Sequence, residues 1–213
     1  MENNQSTIAL LLGGAHSGKS QFAENCAAHW RSVAYYATGG QIENSPEWEN
    51  RILRHKERRP SHWLTIEYPM EIDDVATICK QENPEVLIMD CLTLWMGWKL
   101  SKNFQSYSQI QLLKHLETES IHLLKEIQNL NLPVLVVSNE VGEGVVPSSE
   151  SGRLFREAMG YINQLFAEAA KLISFSIASQ NLLLKNSNMK MQNGFSPLGI
   201  INAEYIFSEL NFK

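Results

Sequence analysis

The chain has 213 residues, of which 44% are hydrophobic, enough to bury a substantial core and to predict a single domain. A formal charge of -5 and a pI near 5.7 exclude a general basic field that would attract nucleic acid or an anionic membrane, and favour a small soluble ligand. Cys26, Cys79 and Cys91 are far apart and form no CxxC pair, which argues against a zinc site or a disulfide framework and fits a reducing, cytoplasmic setting.

The opening MENNQSTIALLL has no basic n-region and only five consecutive apolar residues, so neither a secretory signal nor a membrane span is expected. The run IALLL (8–12) is continuous rather than alternating, as in a strand buried on both faces, and residues 19–30 after it have helical spacing. VAYYA (33–37) predicts a second buried strand, and the Ser45-Pro46 pair starts a helix over 46–59. WLTIE (63–67) alternates and predicts an edge strand. Helices follow at about 72–81, 108–130 and 150–171, with buried strands VLIMD (86–90), VLVVS (134–138) and LISFSIA (172–178) between and after them. This alternation predicts an α/β fold, a mostly parallel sheet with crossover helices on its faces. Residues 1–185 read as one domain. Residues 186–213 shift to Asn, Ser and Lys before recovering the apolar IINAEYIF, and read as an appended extension.

Between the first strand and first helix lies GGAHSGKS, that is Gly13, Gly14, Ala15, His16, Ser17, Gly18, Lys19 and Ser20. It satisfies G-x-x-x-x-G-K-[ST] in the strand–helix context the pattern needs. Glycines let backbone N–H groups wrap phosphate oxygens, Lys19 reaches the β and γ phosphates, Ser20 ligates Mg²⁺, and the helix offers its positive N-terminus. Asp90 ends the strand VLIMD, where a carboxylate holds the Mg²⁺ shell or, alternatively, caps a helix beside Thr93; the P-loop favours the metal role. A guanine-reading N-K-x-D is missing from VVSNEVGEG, so a Ras-like switch is not expected.

The stretch RILRHKERRP (51–60) places Arg51, His55 and Arg58 on one helical face, with Arg54, Lys56 and Arg59 around it. Such a cluster in an acidic chain suggests a phosphate-rich ligand, and neighbouring cations disfavour the imidazolium, leaving a neutral ring able to attack phosphorus. From spacing alone, a solvated basic helix with a surface histidine is the better supported of the two readings. His29, His62, His115 and His122 have no metal-ligand spacing.

GGAHSGKSQFAE, YYAT, RILRHKERRPSHWLTIE, DCLTLW, VVSNEVGEGVVP and GRLFREAMGYINQLFAEAA, in this order over about residues 8–185, resemble the bifunctional adenosylcobinamide kinase / adenosylcobinamide-phosphate guanylyltransferase family of cobalamin biosynthesis. The resemblance implies a RecA-like P-loop NTPase core, a homotrimer and two reactions on one corrinoid. ATP or GTP phosphorylates the aminopropanol hydroxyl of adenosylcobinamide. GTP then guanylylates a histidine, here His55, and the GMP passes to the corrinoid phosphate to give adenosyl-GDP-cobinamide. Carried over by position, residues 13–20, Thr38, Gly39, Gly40, Lys56, Glu57, Arg58, Arg59, Glu67 and Asp90 form the nucleotide site, with Ser20 and Asp90 on Mg²⁺; Arg153 and Arg156 are phosphate or subunit contacts. His16 stands where relatives usually have arginine, and Arg54 stands before His55 where some have a second histidine. Two other readings stay open: a P-loop small-molecule kinase without a covalent intermediate, and a RecA-like nucleotide-dependent assembly or DNA-binding module. The acidic pI and the lack of a basic stripe with interleaved aromatics weigh against the last.

Overall fold

A computed structural model describes residues 7–39, 52–53, 55–188 and 199–211. The long apolar runs become the centre of a seven-stranded sheet in the order β3-β2-β4-β5-β1-β6-β7. Its strands are β1 (Ile8–Gly13), β2 (Val33–Ala37), β3 (Leu64–Glu67), β4 (Val86–Asp90), β5 (Val134–Asn139), β6 (Leu172–Ile177) and β7 (Gln180–Asn186). All neighbours pair in parallel except β6 and β7, which form an antiparallel hairpin.

Continuous burial is what a parallel sheet covered on both sides demands. Every residue of VAYYA is buried, as are the first four of VLIMD and the first five of β5. Alternate side chains feed two cores: Ile8 and Leu10 point into one, Ala9 and Leu11 into the other. The first core is closed by α3 (Ile72–Glu82), α4 (Leu92–Asn103), α5 (Gln109–Asn129) and α6 (Glu150–Ala169), through residues such as Val75, Met96, Leu123 and Phe166. The second is closed by α1 (Lys19–Ala27), Trp30, Trp63 and α7 (Ala203–Leu210). The expected α/β architecture, a mostly parallel sheet with helices on both faces, is the one observed. A short helix α2 carries His55; its described residues are 52, 53 and 55–58.

The sequence does not announce α4, β7 or α7. Helix α4 contains Gly97 and two tryptophans, poor helix formers whose place is set by packing of Trp95 and Met96. The β6–β7 turn uses Ala178 (φ 48°) and Ser179 (φ 63°), positive values that an Ala-Ser pair does not announce. Accordingly β6 stops at Ile177, one residue short of the predicted strand. In the region read as an extension, Leu183 N–H donates to Gly199 O at 2.9 Å, and α7 follows, capped by Asn202 and burying Ile206 and Leu210. Phe207 meets Trp30 edge-on at 4.7 Å, and Lys171 Nζ donates to Glu209 O. The start of the helix predicted over 46–59, together with Gly40, Arg51 and Arg54, lies outside the described residues.

Candidate active site

Parallel register sets the site before any side chain is considered. Gly13 pairs with Asn139, Ala37 with both Asp90 and Glu67, so the carboxyl ends of β1, β2, β3, β4 and β5 line up along one sheet edge. That edge is where α/β sheets of this kind bind ligands. At its middle, β1 runs through residues 14–18 into α1. Gly18 caps α1 with φ 97°, and a Cβ there would stand 2.7 Å from Ser179 Oγ, so both conformation and space require glycine. The hairpin turn holds the loop from behind, Ser179 N–H donating to Ser17 O at 2.8 Å. Gly14, Ala15 and His16 form the exposed tip, His16 in the left-handed region at φ 56°. Lys19 is buried and its Nζ donates to Gly14 O at 2.8 Å, folding the ammonium over the loop's concave side.

Ser20 Oγ donates to Asp90 Oδ1 at 3.3 Å, and Tyr35 OH donates to Asp90 Oδ2 at 2.5 Å. Burial, and then the Asp90 charge, push the Tyr35 phenol well above its usual value, so it stays a donor and orients the carboxylate. Thr38 is fully buried and does not reach the cleft: its hydroxyl accepts from Cys91 N–H and donates to Cys91 O, both at 2.7 Å. Burial also pushes the Cys91 thiol up to about 11, which keeps this cleft-lining cysteine a neutral thiol.

Helix α2 brings the basic cluster over the same edge. Arg58 Nη2 donates to His55 Nδ1 at 3.1 Å and to Glu24 Oε1 at 3.2 Å. A guanidinium only donates, so His55 Nδ1 presents its lone pair, as a neutral imidazole does. Glu24 is 5% exposed in the interior of α1, and burial raises its pKa despite the opposing pull of Arg58. Arg59 lies 3.6 Å from the Tyr35 ring centroid, with Nε and Nη1 buried and without hydrogen-bond partners among the described residues. Orphaned guanidinium N–H groups at a cleft wall are a receptor for an anion. Lys56 pairs with Glu67 at 2.7 Å, both about half exposed.

Most of these groups surround one cleft. Of the residues expected from sequence, Lys19, Ser20, Gly39, His55, Lys56, Arg59, Glu67 and Asp90 line it. Arg58 and Glu57 do not: Arg58 turns toward Glu24, and Glu57 is exposed. Ile52, Leu94 and Asn139 line it without having been expected. Glu24, which reaches the site through Arg58, left no signal in the sequence that would have assigned it there. Arg153 and Arg156 clasp the loop after β5, donating to Ser148 O at 2.7 Å and to Gly142 O respectively, beside a separate open groove.

Residues 9–184 match the family described as cobinamide kinase / cobinamide phosphate guanyltransferase (CobU). The bifunctional adenosylcobalamin biosynthesis protein CobP of Pseudomonas aeruginosa is 36% identical over 178 residues, covering 83% of this chain and 96% of that protein. The Escherichia coli protein CobU, of the same description, is 31% identical over 184 residues, covering 84% and 99%. Among solved structures, a KaiC-like protein from Pyrococcus horikoshii has a TM-score of 0.46 at 11% identity, over 88% of this chain and 82% of that one. The chain therefore belongs to the cobinamide kinase / cobinamide phosphate guanyltransferase family, bifunctional enzymes of cobalamin biosynthesis.

Proposed function

We propose that this chain phosphorylates adenosylcobinamide with ATP or GTP, and then transfers GMP from GTP to the product through a covalent intermediate on His55. The observation that carries the reading is the placement of His55 in the same cleft as Lys19, Ser20 and Asp90. A kinase alone needs only the last three.

In the kinase half, residues 13–20 wrap the triphosphate and Lys19 exchanges its bond to Gly14 O for phosphate oxygens. Ser20 and Asp90 offer adjoining hard oxygen donors that fit Mg²⁺, an ion usually held by few protein ligands together with substrate phosphates; when bound it neutralises phosphate charge. In the guanylyl half, Arg58 gives up its hydrogen bond to His55 Nδ1, and the lone pair released there attacks the α-phosphorus of GTP. The N–P bond forms, the bond to the bridging oxygen breaks, pyrophosphate leaves with the electron pair, and the ring gives up its remaining N–H proton. Arg59, Lys56 and Lys19 supply positive charge around the transferring group. The corrinoid phosphate then displaces His55 and takes the GMP.

The homotrimer implied by the resemblance would give cover to Val145 and Val146, which are 95% and 63% exposed. No helix among the described residues is long and apolar enough to cross a membrane, and a cytoplasmic location is part of the proposal. With GTP labelled at the α phosphate, the chain acquires an acid-labile, base-stable covalent label that His55→Ala lacks. Label retained by His55→Ala removes the assignment.

A further inference from the structure

The reactions above leave Asn139 idle. Its position is not peripheral. Strand β5 lies between the strand that feeds the P-loop and the strand that ends in Asp90, so Asn139, at the carboxyl end of β5, stands between the two halves of the phosphate site. Its main chain is fixed from both directions. Asn139 N–H donates to Thr93 Oγ1 at 2.9 Å, and Asn139 O accepts from Asn163 Nδ2 at 3.0 Å. The Asn163 amide is held in turn, its Oδ1 accepting from Ser138 Oγ at 2.7 Å. None of these bonds uses the Asn139 side chain.

The carboxamide is therefore free of structural duty, lines the cleft, and has its Oδ1 buried without a hydrogen-bond partner among the described residues. A buried acceptor left unpaired is destabilising, and a ligand donor relieves that cost. The phosphates do not supply that donor, because they are acceptors and are already matched by Lys19, Lys56 and Arg59. What remains is an O–H donor that must come close to the γ-phosphate, and the acceptor alcohol of the kinase reaction is such a group.

We propose that Asn139 is the residue that positions the acceptor hydroxyl for phosphoryl transfer, its Oδ1 accepting the O–H hydrogen bond; this rests on the kinase reading above. An amide does not act as a base, so it orients and does not abstract. The hydroxyl oxygen forms its bond to the γ-phosphorus as the bond to the bridging oxygen breaks, the nucleoside diphosphate leaves with the electron pair, and the hydroxyl proton goes to solvent. His55 chemistry at the α-phosphorus involves no alcohol and does not call on Asn139 in this way.

The test compares the full-length wild type with Asn139→Ala, measuring turnover of adenosylcobinamide to its phosphate and, separately, the rate of His55 labelling from α-labelled GTP. Loss of one positioning group predicts a fall of about 100-fold in kinase kcat, with KM for the nucleotide moved far less, and a ratio of kinase turnover to labelling at least about 10-fold below wild type. Labelling by the variant also reports that it is folded. Kinase turnover within about twofold of wild type, or both reactions falling together, overturns the assignment of Asn139 alone. A wild type that labels but forms no corrinoid phosphate overturns the kinase reading, and the role of Asn139 with it.

Discussion

At the scale of single residues, the chemistry depends on how side chains are held more than on which are present. His55 was visible in the sequence as a histidine in a basic helix, and Lys19, Ser20 and Asp90 as a P-loop with its carboxylate. Their partners were not, because contacts between distant elements leave no local signal. Glu24 is such a case: it anchors Arg58, and Arg58 faces His55 Nδ1. Thr38 is the converse, a residue placed at the nucleotide by position whose hydroxyl is consumed by Cys91. Glu24→Gln keeps the size of the side chain but removes the carboxylate that holds Arg58. It should slow His55 labelling by about 10-fold and shift the pH profile of labelling, with nucleotide affinity within about twofold of wild type. Unchanged labelling across pH would show that Arg58 needs no anchor.

At the scale of elements, the six parallel strands β1–β6 were legible almost to the residue, because burial on both faces leaves continuous apolar runs, whereas the antiparallel β7 was not. VAYYA and VLIMD have their predicted limits, and WLTIE lies at the sheet edge, where only Ile66 of β3 is buried. The helix α4 was not legible, since its composition conflicts with its structure and its orientation is fixed through tertiary contacts. One of these is Lys99, whose Nζ donates to Glu71 and Glu119 at 2.7 Å each, joining α4 to the start of α3 and to α5. Desolvation works against the charge on both Lys99 and Glu119, yet the hydrogen bonds and charges between them prevail, raising Lys99 and lowering Glu119. A depressed carboxylate contributes stability above its unfolded pKa and loses it as pH falls through the folded value. Glu119→Gln should therefore cost about 1 kcal/mol in chemical denaturation at pH 7, with the deficit fading below about pH 4.5. A deficit that persists at pH 3 would assign the effect to packing.

At the scale of the whole molecule, the sheet order puts the carboxyl ends of five strands on one edge, and this is what lets β1, β4 and α2 meet although the chain separates Lys19, His55 and Asp90 widely. The alternation of runs in the sequence announced the class of fold; the return of the chain after β7 was hidden, because IINAEYIF is short and preceded by a polar stretch. In the structure, α7 lies beyond the residues matched by the family and still covers the second core. Ile206→Ala, at a position with no exposure, should lower stability by about 3 kcal/mol in a denaturant titration. No change would mean that α7 is dispensable to the core.

The central claim is that the nucleotide bound at the P-loop edge reaches its acceptor by way of His55. The most direct measurement is a chase: the chain is labelled with α-labelled GTP, freed of nucleotide, and mixed with adenosylcobinamide phosphate alone. The account predicts that the label leaves the protein and appears as adenosyl-GDP-cobinamide in a single turnover, and that His55→Ala neither takes up nor passes on label. A label that stays on the protein, or product formed at the wild-type rate by His55→Ala, would contradict it.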